Sequence, residues 1–373
     1  MKKIVFLTGT RADFGKIKSL ISILELQPEF EVFVAVTGMH LQEEYGYTVL
    51  EIQRCGYKNI HTFHNHTHET TMDLTLAKTI EGLSSYVKKV EPDLILVHGD
   101  RVETLAGAIV GSLNNILVAH IEGGEISGTV DELIRHSVSK LSHIHFVSNA
   151  KAAKRLEQMG EINESVFTIG SPDIDVMFSD KLPDLADAKE YYQLFFETYA
   201  IVMFHPVTTE INEMEQYATH FVNALLADTH NYIVVFPNND LGSKTILKTY
   251  ERLVGNPRFR IFPSLRFEYF LVLLKNCQFI IGNSSAGIRE APYYGIPIIN
   301  IGSRQQNRAV HADIIHVDYN EKNITEALTT IDSRQVNQTV VDFGQGNSAE
   351  LFLECLQKGE FWKMNHQKQF RDR

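Results

Sequence analysis

Short apolar runs rich in β-branched residues recur along the chain, and each is followed by a polar turn and a longer amphipathic segment. Apolar runs spaced in this way are typical of parallel strands that helices cover on both faces of a sheet. The predicted strands of the first half are Lys3–Thr8, Glu31–Thr37, Leu94–His98, Ile116–Ile121, Ile144–Val147 and Val166–Ile169. Those of the second half are Ala200–Phe204, Tyr232–Phe236, Arg260–Phe262, Phe279–Ile281, Pro297–Ile301 and Ile314–Val317.

An acidic segment typical of a linker, residues 179–190, separates the two series of predicted strands. A chain of 373 residues also exceeds the size at which one hydrophobic core stops growing. We therefore predict an α/β fold of two Rossmann-like, doubly wound parallel-sheet domains with a central cleft, residues 1–178 and 179–373. The segment Ser348–Gln357 predicts a last helix, which in one arrangement packs back on the amino-terminal domain. The residues after it are expected to be loosely held.

Composition narrows the range of partners. Hydrophobic residues make up 44% of the chain and charged residues 22%, as in an ordinary globular protein, and the formal net charge is −11. An acidic chain disfavours nucleic acid and membrane surfaces as partners. No apolar run reaches the roughly 20 residues of a membrane-spanning helix, and the opening segment MKKIVFLTGT lacks the features of a signal peptide. Three scattered cysteines indicate free thiols, so we expect a cytoplasmic protein.

Ligands of parallel sheets bind beyond the carboxyl ends of the strands, so the residues directly after the apolar runs are the candidate site. Two of them, Asp100 and Glu122, are acids at the edge of a buried strand. Carboxylates in such places acquire raised or split pKa values and can exchange protons at neutral pH. The Gly-Gly pair after Glu122 is expected to let a substrate approach the backbone. For Asp131, taken alone, a solvated surface acid is an equally good interpretation. His40 and Arg101 also follow predicted strands.

Two strand-to-helix turns are candidates for binding an anion. TGTRADFGK places Arg11 and Lys16 near a helix N-terminus. GNSSAGIREA offers the hydroxyls of Ser284 and Ser285 beside small residues, with Glu290 one helical turn further on, where it could accept hydrogen bonds from a ribose. An ordinary βα turn and an ordinary serine N-cap are the structural alternatives. Neither turn is a dinucleotide fingerprint or a phosphate loop.

Histidines raise two further possibilities. His205 opens HPVTTE at the end of a predicted strand, where it could act as a general acid or stabilise a leaving phosphate. The segment HTFHNHTHE, residues 61–69, could bind a metal, but no cysteine or strand anchors its histidines. A mobile polar loop is the favoured interpretation there, and we expect neither a metal nor a cofactor.

Eight motifs follow one another in order from Met1 to about Val317. They are TGTRADFGK, HGDRVE, HIEGGEISGTVDELIRHSVSKLSHIHFVSN, IGSPDID, FHPVTTE, FPNNDLGSK, GNSSAGIREAP and GSRQQNR. Together these motifs resemble the hydrolysing UDP-N-acetylglucosamine 2-epimerases of sialic acid biosynthesis. That family has a glycosyltransferase-B-type (GT-B) fold, two Rossmann-like domains with the active site between them, and its members are commonly dimers or tetramers.

The resemblance implies that the substrate is a UDP-sugar, which loses UDP by elimination to a 2-acetamidoglycal and gains water to give N-acetylmannosamine. It implies Asp100, Glu122 and Asp131 as the catalytic acids, with His205 beside them. The residues expected to bind the UDP-sugar are Arg11, Lys16, His40, Arg101, Asn238, Ser284, Ser285, Glu290 and Arg304. A homodimer or homotetramer is expected.

Four alternatives stay open at this point. A sister hydrolase of the legionaminic acid route acts on a UDP-2,4-diacetamido-2,4,6-trideoxy sugar and shares nearly every motif. A non-hydrolysing epimerase would return UDP to the intermediate. A glycosyltransferase of the same fold would need an acceptor site, and a nucleotide-sugar sensor would bind UDP without turnover.

Overall fold

The structure is a computed structural model that describes residues 1–66, 71–127, 129–305, 314–334, 336 and 342–369. Within these residues the strands form two sheets in which every pairing is parallel. The two series of parallel strands predicted from the apolar runs are therefore confirmed.

The first sheet has seven strands in the order β3-β2-β1-β4-β5-β6-β7. Every residue of the central strand β4 is buried, as expected for a strand covered on both faces. Ile4 pairs with Val32 on one side and with Leu94 on the other. The strands are β1 Lys2–Thr8, β2 Phe30–Val36, β3 Ile60–Thr62, β4 Leu94–His98, β5 Leu117–Ile121, β6 Ile144–Val147 and β7 Val166–Thr168.

The second sheet has six strands in the order β10-β9-β8-β11-β12-β13. Its centre is equally apolar, since Ile280 of β11 pairs with Ile201 and with Ile298. The strands are β8 Ala200–Met203, β9 Tyr232–Val235, β10 Phe259–Phe262, β11 Ile280–Gly282, β12 Ile298–Ile301 and β13 Ile314–Val317.

Helices connect the strands of both sheets. The first begins at a capping box, in which the Thr10 side chain accepts from the Asp13 N–H and the Asp13 carboxylate accepts from the Thr10 N–H. The helices are α1 Arg11–Glu25, α2 Val49–Arg54, α3 Met72–Val90, α4 Val102–Leu113, α5 Val130–Leu141, α6 Ala150–Gln158, α7 Pro172–Met177, α8 Leu185–Tyr191, α9 Met214–Ala227, α10 Ser243–Tyr250, α11 Phe267–Lys275, α12 Glu290–Tyr293, α13 Glu321–Ile331 and α14 Ser348–Gln357. None of the helices in the described ranges is both long and apolar enough to cross a bilayer.

The chain forms two compact units, of which the first contains Met1–Glu125, Asp131–Ser179 and Asp342–Arg373. The second contains Ile126–Val130 and Asp180–Val341. The division near residue 179 lies within one residue of the expected boundary, but the expected second domain, 179–373, ends earlier, because the carboxyl-terminal segment belongs to the first unit.

Helix α14 docks on the first unit for two reasons. Its apolar side chains, among them Phe352 and Leu356, are buried in the core of that unit. The carboxylate of Asp175 also accepts hydrogen bonds of 2.8 Å from the N–H groups of Ser348 and Ala349. A carboxylate at this place satisfies amides that the first helical turn leaves without a partner.

Two segments differ from the sequence expectations. The first two residues of the predicted mobile loop, His61 and Thr62, belong to the edge strand β3, where the His61 ring stacks on Tyr86 at 4.0 Å between centroids. Asn65, in the same segment, is fully buried; His68 and Glu69 lie outside the described residues. The predicted linker 179–190 also contains structure, since α8 begins there with the Asp184 side chain as its N-cap.

Candidate active site

Arg135 of α5 joins the two acids that follow β4 and β5. Its Nη1 donates to the backbone oxygen of Glu122 at 2.6 Å, and its Nη2 donates to the Asp100 carboxylate. The Arg135 side chain is 2% exposed, so water screens this ion pair little. The structure therefore brings Asp100 and Glu122 together, as their strand-end positions predicted.

Sequence analysis did not identify Arg135. The sequence feature that could have identified Arg135 is its position on α5. Arg135 lies on the buried face of that helix, together with Ile134, Val138 and Ser139. A guanidinium on an apolar helix face requires a buried partner. Asp131 lies in the first turn of α5, four residues before Arg135. Residues four apart share a helix face, so Asp131 is on the face from which Arg135 contacts Asp100 and Glu122.

Glu122 has a strained backbone, with φ at +63° in the left-handed region that non-glycine residues rarely adopt. Its N–H donates to Phe146 O at 2.9 Å, and its C=O accepts from Arg135. These two bonds hold the conformation. The side chain is held as well, because the Ser171 hydroxyl donates to Oε1 and the Nε2 of His98 lies 3.4 Å from Oε2.

The glycine pair after Glu122 serves internal packing, which corrects the expectation that it admits the substrate. A Cβ on Gly123 would lie 2.9 Å from the His120 ring. A Cβ on Gly124, where φ is +73°, would lie 2.3 Å from the carbonyl oxygen of Ala152. Helix α6 therefore packs directly on this turn.

Lys16 lies beside the buried carboxylates of Glu122 and Asp173. Its Nζ is 3.2 Å from Asp173 Oδ2 and 3.9 Å from Glu122 Oε1, and the Asp173 side chain is 0% exposed. One ammonium thus serves two buried carboxylates. The expectation that Lys16 points toward an anion at the start of α1 is replaced by this role, since buried carboxylates are costly without a positive partner.

His40, expected to contact the substrate, is fully buried, and both of its ring nitrogens have protein partners. The nitrogens lie 3.0 Å from the Thr8 hydroxyl and 2.7 Å from the Thr48 hydroxyl. Burial, with the nearby charge of Arg11, lowers the pKa of His40 to about 3, so the ring is neutral. His40 supports the turn after β2 and offers no ring nitrogen to a ligand.

Arg11 retains donors that a ligand could use. One arm of the guanidinium pairs with Glu51 of α2. Within the described ranges its Nε and Nη1 are buried and have no hydrogen-bond partner. Arg101 is differently placed, because its Nε lies 3.4 Å from the carboxylate of Glu103, which is 2% exposed. Buried donors of this kind are expensive unless a ligand satisfies them, which favours Arg11 as an anion-binding residue.

The second unit has its own cluster at strand ends, centred on Asn283 after β11. Its side chain accepts from the His205 N–H at 2.7 Å and donates to the His205 C=O at 2.8 Å. Its backbone oxygen accepts from Arg304 at 3.2 Å and from Gln305 at 2.8 Å. Asn283 is fully buried, so it fixes both His205 and Arg304.

The orientation of the His205 ring is set by Asn238. The backbone N–H of Asn238 donates to His205 Nδ1 at 3.0 Å, so that nitrogen is an acceptor. In the neutral ring the proton is then on Nε2. His205 is thereby prepared to donate a hydrogen bond from Nε2.

The serine turn is shorter than expected. Gly282 has φ at +138°, and a Cβ there would lie 2.0 Å from Met203 O, so only glycine ends β11 this way. Ser284 then caps a single 3₁₀ turn by accepting from the Ala286 N–H at 3.3 Å. Glu290, 3% exposed, begins the four-residue helix α12. The hydroxyl oxygen of Ser284 therefore acts as an ordinary N-cap, the structural alternative considered for this turn.

In the described part of the chain, no group of three His, Cys, Asp or Glu side chains could hold a metal ion.

The two doubly wound units, with clustered polar side chains after their strands, define a two-domain α/β protein of the GT-B type. The family model described as UDP-N-acetylglucosamine 2-epimerase matches residues 23–357. The chain belongs to the UDP-N-acetylglucosamine 2-epimerase family, which confirms the resemblance drawn from its motifs at the family level.

Individual relatives agree with this assignment. A UDP-N-acetylglucosamine 2-epimerase of Neisseria meningitidis serogroup B is 49% identical over 100% of this chain and 99% of its own. A UDP-N,N'-diacetylbacillosamine 2-epimerase (hydrolyzing) of Legionella pneumophila is 32% identical over 95% of this chain and 96% of its own. The crystal structure of a Methanocaldococcus jannaschii UDP-GlcNAc 2-epimerase with UDP-GlcNAc and UDP shares the fold. Its TM-score against this chain is 0.79 at 21% identity, and the match covers 95% of this chain and 99% of that one.

Proposed function

We propose that the protein is a hydrolysing UDP-N-acetylglucosamine 2-epimerase, which converts UDP-GlcNAc and water into N-acetylmannosamine and UDP. The observation that carries the proposal is the buried acid cluster of the first unit, in which Arg135 joins Asp100 to Glu122 and Lys16 lies between Glu122 and Asp173. Such a cluster can hold and move protons beside a sugar while it excludes water.

The first step is an elimination. A carboxylate takes the proton from C2, its electrons form the C1–C2 double bond, and the C1–O bond breaks to release UDP. The C2 proton is barely acidic, so positive charge developing at C1 must help, and nearby carboxylates stabilise that charge. Asp100 or Asp131 removes this proton in the proposal. The guanidinium of Arg135 keeps Asp100 oriented for it.

The second step adds water across the double bond of the glycal. The water oxygen bonds to C1, a proton returns to C2 on the opposite face, and the product is free N-acetylmannosamine. We assign Glu122 to this hydration, because its side chain is held by Ser171 and lies near His98 and Lys16, two groups that can adjust its proton affinity. The strained backbone of Glu122 is consistent with a residue placed for function.

Groups that donate hydrogen bonds would stabilise the departing UDP. Arg11 has buried nitrogens available, and Arg304 is positioned through Asn283. His205 donates from Nε2, because its Nδ1 accepts from Asn238. A neutral imidazole is a weak acid but a good hydrogen-bond donor, so of the two roles considered for His205 the stabilisation of phosphate is favoured. Asn238, Ser284, Ser285 and Glu290 complete the proposed nucleotide-binding set.

The names of the relatives support the hydrolysing mode. Two relatives at 32% and 31% identity carry the word hydrolyzing, and a third at 33% is the polysialic acid biosynthesis protein P7 of Escherichia coli. A Bacillus subtilis UDP-N-acetylglucosamine 2-epimerase is more distant, at 23% identity. The two hydrolyzing relatives, at 32% and 31% identity, are N,N'-diacetylbacillosamine epimerases, and they favour a second candidate, hydrolysis of a UDP-2,4-diacetamido sugar.

Incubation with UDP-GlcNAc, followed by proton NMR in D₂O, tests the proposal. Free N-acetylmannosamine with deuterium at C2, together with UDP, is the expected result. A UDP-linked product would contradict the hydrolysing mode. Turnover only of the UDP-2,4-diacetamido sugar would replace the proposed substrate by the second candidate.

We further propose that the protein works in the cytoplasm as a homodimer or homotetramer whose product feeds sialic acid synthesis. The three cysteines are free thiols, which is consistent with a reducing compartment. Light scattering coupled to size-exclusion chromatography measures the oligomer, and a monomer at micromolar concentration would contradict that part of the proposal.

A further inference from the structure

The carboxyl-terminal tail is bound at the end of α5 that lies opposite the acids. The Lys368 ammonium donates to three backbone oxygens there, those of Ser139 and Lys140 at 3.0 Å and of Ser142 at 2.7 Å. The last carbonyls of a helix lack intrahelical partners and carry partial negative charge, so an ammonium satisfies them in both respects. The expectation of loosely held final residues is therefore wrong for this part of the tail.

A buried acid anchors the same ammonium. Lys368 pairs with Glu161, whose side chain is 1% exposed, and Glu161 also pairs with Lys140 at 2.8 Å and with the buried His145 at 3.0 Å. Burial lowers the pKa of Lys368 to about 8, and Glu161 opposes that shift. An ammonium is costly to bury, so its presence here depends on these partners.

The preceding residues fix the path of the tail. His143 accepts the Val118 N–H at its Nδ1, at 3.0 Å, and so donates from Nε2 to the backbone oxygen of His366 at 2.8 Å. The His366 ring in turn donates from Nδ1 to the Asn115 oxygen at 2.8 Å. Three separate contacts thus hold residues 366–368 against the starts of β5 and β6 and the end of α5.

Helix α5 has 12 residues and is about 18 Å long. Its first turn carries Asp131, and its second carries Arg135, which holds Asp100 and the backbone of Glu122. A rigid helix transmits a small shift or rotation at one end to the other. A catalytic geometry is sensitive to displacements of about 1 Å.

We propose that Lys368 is a positioning residue for catalysis, through which the carboxyl-terminal tail fixes α5 and so the placement of Asp131 and Arg135. The consequence for turnover rests on the function proposed above. The physical part, that Lys368 holds α5 in place, does not depend on it.

The test compares Lys368→Met with Lys368→Arg and with the control Lys363→Met. Lys363 is a tail lysine whose side chain is 69% exposed and pairs only with the exposed Glu360 among the described contacts. Turnover is expressed per UDP-binding site, measured by calorimetric titration, so that partial unfolding does not count as loss of catalysis. Hydrogen exchange of α5 amides is measured on the same samples, with α9 of the second unit as the internal reference.

In Lys368→Met we expect exchange in α5 to be at least tenfold faster and kcat at least tenfold lower, with KM within about threefold. Lys368→Arg retains the charge and the donors and should recover most of both. Lys363→Met should match the unchanged protein. Faster α5 exchange with unchanged kcat per site would overturn the catalytic role, and unchanged α5 exchange would overturn the proposal whatever the turnover.

Failure of the proposed function is distinguishable from these outcomes. It would show as an unchanged protein that does not turn over UDP-GlcNAc. In that case the hydrogen exchange of α5 still tests the positioning of Asp131 and Arg135. Exchange that is faster as far as the first turn in Lys368→Met, and restored in Lys368→Arg, would support that positioning. Exchange that is unchanged in Lys368→Met would refute it.

Discussion

The clusters of the two units are held by different forces. In the first unit, charged side chains orient one another: Arg135 holds Asp100, and Lys16 lies between Glu122 and Asp173. In the second unit, the neutral side-chain amide of Asn283 holds the backbone of His205, and the backbone oxygen of Asn283 accepts from Arg304. A charged network can tune proton affinities, whereas an amide network fixes geometry without altering charge. The contrast fits the roles proposed above, proton transfer in the first unit and recognition of a nucleotide in the second.

The strongest way to break this contrast is to remove Arg135. In Arg135→Met the partly buried Asp100 loses its counter-charge, and the Glu122 carbonyl loses the bond that holds its left-handed backbone. Breaking a buried ion pair costs about 3–5 kcal/mol, and turnover should fall by about 10²–10⁴-fold. Denaturant unfolding and steady-state kinetics measure the two effects. Arg135→Lys keeps a charge but not the two-armed contact, so it should recover stability better than turnover; equal recovery of both would contradict the orienting role.

A substitution in the amide network should affect binding more than chemistry. Asn283→Ala leaves the N–H and C=O of His205 without their partner, at a cost of about 1–3 kcal/mol for each buried group. We expect UDP to bind roughly 5–100-fold more weakly, with kcat reduced less than kcat/KM. Isothermal titration with UDP and steady-state kinetics check this. A large fall in kcat at unchanged UDP affinity would show that the second unit also takes part in the proton chemistry.

Low pH should destabilise the first unit through protonation of Glu161. Burial alone would raise the pKa of Glu161, but the hydrogen bonds from His145 and Lys140 and the charge of Lys368 outweigh it and lower the pKa to about 2. A carboxyl with a lowered folded-state pKa stabilises the protein above its ordinary value of 4.5 and loses that contribution as the pH falls toward 2. The free-energy difference between the unchanged protein and Glu161→Gln should therefore shrink as the pH falls below 4.5. A difference independent of pH would contradict it.

The second unit should show the opposite dependence at His230. Burial would lower the pKa of His230, but Asp228 and Asp332 outweigh it and raise the pKa above 6.5. A histidine with a raised folded-state pKa contributes its stabilisation fully below its ordinary pKa and loses it as the pH rises through the folded value. The stability difference between the unchanged protein and His230→Asn should thus shrink between pH 6 and 9 in denaturant unfolding. A difference that grows over this range would refute the assignment.

The smallest effect on catalysis is expected at His40. Its ring is buried between Thr8 and Thr48, so His40→Asn should lower stability by about 1 kcal/mol for a lost hydrogen bond. Turnover and KM should stay within about threefold, because both ring nitrogens already have protein partners. A KM raised tenfold or more would return His40 to the binding site.

The fold was predictable because each buried strand is a continuous apolar run. All six strands of the second sheet fall within one or two residues of their predicted bounds, and Leu94–His98 is identical. The edge strand β3 escaped prediction because its sequence, IHT, is polar and short. Helix α8 was taken for a linker because its sequence is acidic and little of it is buried.

The site was predictable only where the rule of strand ends applies. It found Asp100, Glu122 and His205, which lie one or two residues after the ends of β4, β5 and β8. It could not find the residues that orient them, because Arg135 and Ser171 reach the acids from distant parts of the chain. The same rule included His40, since a position after a strand does not show which way a side chain points.

Replacement of Asp100 by Asn is the most direct test of the central claim, that the acids of the first unit carry out the proton chemistry on a UDP-sugar. Glu132→Gln is the matched control, because it also replaces a carboxylate by its amide, at a side chain of α5 that is 38% exposed. We expect Asp100→Asn to abolish UDP release and deuterium incorporation at C2, while UDP still binds within about threefold of its original affinity. Full activity in Asp100→Asn would contradict it.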